Sequence, residues 1–143
     1  MTFGEKVKTA RKAKDISQRE LAARSGLSFR TIQNYETGQR MPKSRSSYTR
    51  LAEALGINEN ALLDPDAVFV LRAAEQYGNK AADQAKELVT DLGALWAGGT
   101  MAEDDMDAIM EALQRAFWEA KRINRKYVNK RYRKAGQVLI EAG

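Results

Sequence analysis

The stretch SQRELAARSGLSFRTIQNYETGQRMP, residues 17–42, decides how this chain folds. Ser17 supplies a hydroxyl that can cap a helix, and Glu20 follows at the spacing of a capping box. Leu21 and Ala22 then face inward, the small Ala22 allowing a neighbouring helix to approach closely. Gly26 falls where a tight inter-helix turn needs a left-handed residue. Ser28 can cap the next helix, expected to run to about Thr37 and to stop at Gly38. The stretch therefore encodes two short helices joined by a tight turn.

On the second of these helices Ile32, Tyr35 and Glu36 recur at i, i+3 and i+4 and are expected to face inward. Phe29, Arg30, Gln33, Asn34 and Thr37 then project from the opposite face. Arginine matches guanine O6 and N7, asparagine or glutamine matches adenine N6 and N7, and an aromatic ring can touch a thymine methyl. Phe29, Arg30, Gln33 and Asn34 are accordingly the expected base contacts. Ser17, Gln18, Ser28, Thr37, Arg40 and Lys43 lie at helix ends or just beyond them. They are expected to meet phosphates, which positions a protein on a duplex without reading its sequence.

Around this stretch the pattern remains helical. No sustained period-2 alternation appears, and apolar residues recur at spacings of three and four, so the fold class is all-α. A helix is expected from about Phe3 to Lys14, with Val7 and Ala10 inward. A fourth runs from about Ser44 to Leu55 and presents Leu51, Ala52 and Leu55, and a short fifth lies near Glu59 to Leu63. Prolines occur only at Pro42 and Pro65, and Pro65 marks the expected boundary between residues 1–65 and a helical region at 66–143. In that region helical patterns run from Ala67 to about Tyr77 and from Asn79 to about Leu95. Leu88, Leu92, Leu95 and Trp96 form a stripe, and Gly98-Gly99 ends it. Thr100 and Glu103 form a second capping box. Met106, Ile109, Met110, Leu113 and Phe117 then repeat as the apolar face of an amphipathic helix.

Residues 17–42 resemble the xenobiotic-response-element type of helix-turn-helix, the family of phage repressors and many bacterial regulators. The pattern S-Q-x-x-L-A-x-x-x-G-[LV]-S-x-x-T-I-x-x-[YW]-E-x-G-x-R-x-P is matched by Ser17, Gln18, Leu21, Ala22, Gly26, Leu27, Ser28, Thr31, Ile32, Tyr35, Glu36, Gly38, Arg40 and Pro42. The resemblance implies a five-helix, lambda-repressor-like DNA-binding domain over residues 1 to about 64, with base contacts from the start of the third helix. It also implies a structural ion pair between Arg11 and Glu36. Phe29 departs from the pattern, since that position is commonly polar in such proteins.

Composition agrees with this direction and closes others. The 143 residues suit one domain or two very small ones. There is no histidine and no cysteine. That removes the usual general base at neutral pH, every serine-histidine triad, thiolate chemistry and the commonest zinc ligands. Ser44, Ser46 and Ser47 have no histidine to activate them, so no enzyme and no cofactor is expected. The N-terminus lacks an apolar leader core and no apolar run is long enough to span a bilayer, so the expected location is the bacterial cytoplasm, on the nucleoid when bound. Net charge is +5 with 24 basic and 19 acidic residues, which favours a polyanionic partner. Residues 1–65 hold 12 basic and 7 acidic side chains, whereas residues 66–143 hold 12 of each.

The second half is a charge dipole, with 3 basic and 10 acidic residues over 66–111 against 9 and 2 over 112–143. Glu103, Asp104, Asp105 and Asp107 lack the spacing of a calcium loop and suit the first turn of a helix instead, so no metal site is expected. The basic run at Lys121, Arg122, Arg125, Lys126, Lys130, Arg131, Arg133 and Lys134, with Tyr127 and Tyr132, fits three roles: a solvated face, an auxiliary DNA contact, or a counter-charge to the acidic stretch of its own or a partner chain. The Met106–Phe117 stripe fits a core or dimer surface better than a small-molecule pocket, because one helix cannot bury that face alone. The expected function is a homodimeric regulator, most often a repressor, on a pseudo-palindromic operator with half-sites about one helical turn apart. The alternative is an antitoxin or partner-binding protein whose C-terminal helices hold another protein and whose DNA binding is autoregulatory. The effector or protein partner, if there is one, is not named by the sequence.

Overall fold

The computed structural model describes residues 1–99 and 101–136, with side chains through Ile123. The described residues form helices α1 (Phe3–Ala13), α2 (Gln18–Ser25), α3 (Phe29–Thr37), α4 (Arg45–Leu55), a 3-10 turn (Glu59–Ala61), α5 (Pro65–Tyr77), α6 (Asn79–Ala97) and α7 (Glu103–Gly136). No strand occurs among them.

The punctuation is local chemistry. Ser17, Ser28, Ser44 and Asp64 cap α2, α3, α4 and α5, each side-chain oxygen accepting a first-turn backbone N–H. Gly26, Gly38 and Gly56 close α2, α3 and α4 at φ of 74°, 81° and 68°, which a Cβ would oppose. The capping box expected at Ser17 and Glu20 forms only by half: Glu20 turns along the helix to Arg24 at 2.8 Å instead of reaching back to Ser17. A complete box occurs at Thr2 and Glu5, opening α1. The fifth helix is the brief 3-10 turn. The second expected box includes Thr100, which lies outside the described residues.

Packing divides the chain into two compact units, Met1–Leu95 and Trp96 onward. In the first, α1 and α2 both pack on α3, and α2 also packs on α4. Phe3, Val7, Leu21, Ile32, Tyr35, Tyr48, Leu51 and Leu62 make the core, and Ala67 and Leu71 of α5 join it. The compact unit therefore runs past Pro65. That proline occupies the first turn of α5, where its missing N–H has no helical partner to lose, so it starts an element of the same core. Lys6 binds Asp64 and ties α1 to the cap of α5.

The stripe expected on α6 is only partly the buried face. Ala81, Ala82, Ala85 and Leu92 are buried, whereas Leu95 is 70% exposed. The buried face of α6 is thus made largely of small alanines, which a pattern of large residues does not reveal. In α7 no residue from Glu103 to Ile123 is buried, and Met106, Met110, Leu113 and Phe117 are half-buried while Ile109 is exposed. The helix continues past Asn124 to Gly136. Beyond Arg122 the basic run has no described side chains.

Candidate nucleic-acid interface

The second helix of the motif is α3, and its seat is built from both of its neighbours. Ile32 and Tyr35 anchor it in the core. Phe3 packs edge-on to Tyr35 and to Tyr48, each with ring centroids 5.5 Å apart. Gly4 brings the backbone of α1 against the end of α3: a Cβ there would stand 2.4 Å from the Tyr35 carbonyl oxygen and 2.8 Å from that of Glu36. Gly4 carries no local sequence signal of this, since its constraint comes from a partner about thirty residues away.

Arg11 and Glu36 meet as a bidentate pair, Nε to Oε2 at 2.7 Å and Nη2 to Oε1 at 3.0 Å. The Glu36 side chain is only 3% exposed. Arg11 also donates to the Ile16 carbonyl at 2.9 Å, so one guanidinium joins α1, the turn before α2, and α3. The hydrogen bond to Glu36 raises the Arg11 pKa against the opposing pull of burial. Gln18 adds a third donor, its Nε2 reaching Glu36 at 3.2 Å. An amide NH2 has two N–H groups, so Gln18 can serve this clamp and still offer a proton at the surface.

The opposite face of α3 is polar and open. Arg30, Gln33 and Thr37 are exposed and Asn34 is half-buried. Phe29 is not free on that face: it is half-buried against the core, and the Arg19 guanidinium lies 4.4 Å above its ring. Ser28 is exposed, its oxygen accepting the Thr31 N–H at 3.0 Å. The Thr37 hydroxyl donates to the Asn34 carbonyl. Ser17 and Arg40 are exposed next to the ends of α2 and α3. Lys43 is paired with Asp83 of α6 at 2.9 Å, a partner the sequence did not suggest. Arg19 carries no signal in the sequence pattern, although its place in the first turn of α2 puts it beside the start of α3. Among the described residues no cluster of acidic side chains could hold a metal ion, and no helix is long and apolar enough to cross a membrane.

Two short helices at a glycine turn, the second anchored inward by Ile32 and Tyr35 and bare and polar outward, define a helix-turn-helix DNA-binding domain. Comparison with known proteins agrees. The family model described as "Helix-turn-helix" matches residues 7–62. An immunity repressor protein of Bacillus phage phi105 is 31% identical over 144 aligned positions, which span 96% of this chain and 99% of the relative. No solved structure gives a significant match. The chain belongs to the phage-repressor-like helix-turn-helix family, whose members are DNA-binding regulators and not enzymes.

Proposed function

We propose that this protein is a transcriptional repressor that binds a pseudo-palindromic operator as a homodimer, with α3 of each copy in the major groove. The observation that carries the reading is the contrast across α3. One side is locked by the buried Arg11–Glu36 pair, and the other presents Arg30 and Gln33 to solvent. A rigid helix with free polar donors is what base-edge recognition requires. Arg30 and Gln33 are the base readers, with Asn34 beside them. Phe29 and Arg19 brace the entry to the helix. The exposed amino end of α2 at Ser17 and Gln18 and that of α3 at Ser28, with Thr37 and Arg40, face the phosphates.

A repressor along nearly the whole length of both chains supports this reading over the partner-binding alternative. Pairing follows from recognition, because one helix-turn-helix reads too few bases for useful specificity. The test is selection from a random duplex library at stated, near-physiological salt. Enrichment of an inverted repeat with half-sites about 10 base pairs apart is the expected result. Recovery of no motif by folded protein overturns the reading. With the site in hand, Arg30→Ala is expected to cost about 1–3 kcal/mol at one base position and to relax the preference there. An equal loss on every sequence removes Arg30 from the readers.

A further inference from the structure

The unused feature of the molecule is α7. Its residues 103–111 hold five acidic and no basic side chains, whereas residues 121–134 hold eight basic and no acidic ones. Both blocks lie on one helix of 34 residues. Their centres are about 20 positions, or roughly 30 Å, apart along the axis, well beyond the screening length of about 8 Å at physiological salt. The blocks therefore cannot neutralise each other within one helix. Between and beside them run Met106, Met110, Leu113 and Phe117, spaced four, three and four, the repeat of paired helices, and each is only half-buried among the described residues.

We propose that α7 pairs antiparallel with α7 of a second copy, with the two-fold axis close to Phe117. The proposal rests on the homodimer reading above and adds its surface, orientation and register. A parallel pair would set acid on acid and base on base. An antiparallel pair sets the acidic half of each copy along the basic half of the other and closes both apolar stripes at once. The register follows from the charges, since the midpoint between the two blocks falls at about residue 117. Glu111–Arg115 and Glu119–Arg122 pairs along the helix leave Glu103, Asp104, Asp105 and Asp107 as the exposed acidic end that a partner would meet.

The absence of cysteine makes the test direct. In the full chain under mild oxidation, Phe117→Cys is expected to give a covalent dimer. Met106→Cys is expected to give none, because antiparallel pairing holds its two copies about 33 Å apart, far beyond disulfide reach. Sedimentation equilibrium on charge-reversed chains keeps the test sound where Phe117→Cys disturbs packing. Asp104→Lys/Asp105→Lys/Asp107→Lys and Lys126→Glu/Lys130→Glu/Arg131→Glu are each expected to weaken self-association about tenfold or more, and their mixture to restore it. Efficient cross-linking of Met106→Cys, or charge reversals that leave dimerisation unchanged, overturns the orientation while leaving the dimer reading intact. Reversal of the basic block that lowers only DNA affinity also overturns it, and assigns that block to the nucleic acid. A chain that stays monomeric overturns the pairing, and the operator selection then scores the dimer reading separately.

Discussion

Gly4→Ala isolates the contact that seats α3. The added methyl would lie 2.4 Å and 2.8 Å from two backbone carbonyl oxygens of α3, where ordinary contact begins near 3.4 Å. Backbone cannot rotate away as a side-chain tip can, so α1 must withdraw from α3 by about 1 Å. Overpacking of this kind costs about 1–3 kcal/mol, and the shift also strains Phe3, Val7 and the Arg11–Glu36 pair, which sit on the same helices. Alanine regains up to about 1 kcal/mol of helix propensity, and less in the first turn of α1 than in its middle. The net expectation is a loss of about 1–2 kcal/mol. At about 4–8 °C per kcal/mol for a unit of this size, Tm falls by roughly 5–15 °C. Thermal unfolding followed by circular dichroism measures it. Gly93→Ala is the internal control: a Cβ there meets nothing within 4 Å on α6, so that variant melts at or above the parent. A Gly4→Ala protein as stable as the parent would refute the claim that close backbone approach fixes α3.

Arg11→Ala leaves the buried Glu36 carboxylate with Gln18 alone and is expected to cost about 3–5 kcal/mol in urea unfolding, more than the double replacement Arg11→Met/Glu36→Leu. A double variant less stable than Arg11→Ala would count against the buried-charge account. Tyr48 is fully buried, its hydroxyl has no hydrogen-bond partner among the described residues, and burial pushes its pKa far above the ordinary value. Tyr48→Phe is therefore expected to leave stability unchanged or raise it by up to about 1 kcal/mol, and a clear drop in Tm would reveal a contact at that oxygen. Asp83→Asn releases the Lys43 ammonium, and operator affinity should then fall more steeply with salt, by about one in the logarithmic slope; an unchanged slope means that Lys43 stays off the phosphates.

Much of the helix-turn-helix was legible because its signals are local. A serine before a helix and a glycine after it act within four residues, and Gly26 and Gly38 take the left-handed conformation their positions demanded. Arg11 and Glu36 came into view through the family pattern and not through spacing. What escaped was long-range or ambiguous. Gly4 looks like an unfavourable helix residue until the α3 carbonyls are placed beside it. Lys43 looks like a free cation until α6 brings Asp83 across. Pro65 reads equally well as a terminator or as a first-turn residue, and only the burial of Ala67 and Leu71 in the first core decides for the second. The face of α6 escaped because it is largely alanine, a weak hydrophobic signal even where it is fully buried.

The division of labour along α3 bears on how such a protein can change its target. Ile32, Tyr35 and Glu36 are buried at the side chain and carry the contacts that hold the helix. Arg30 and Gln33, interleaved with them on the same two turns, stand in solvent. Surface substitutions away from buried features usually change stability by no more than about 0.5 kcal/mol, whereas a single bidentate base contact carries about 1–3 kcal/mol of discrimination. With Arg30 and Gln33 as the proposed base readers, changes at positions 30 and 33 redirect sequence preference almost without structural cost, while changes at 4, 11 or 36 alter stability and shift the whole of α3. The separation follows from the helical period: residues three or four apart share a face, whereas Ile32 and Gln33, adjacent in sequence, lie on opposite ones.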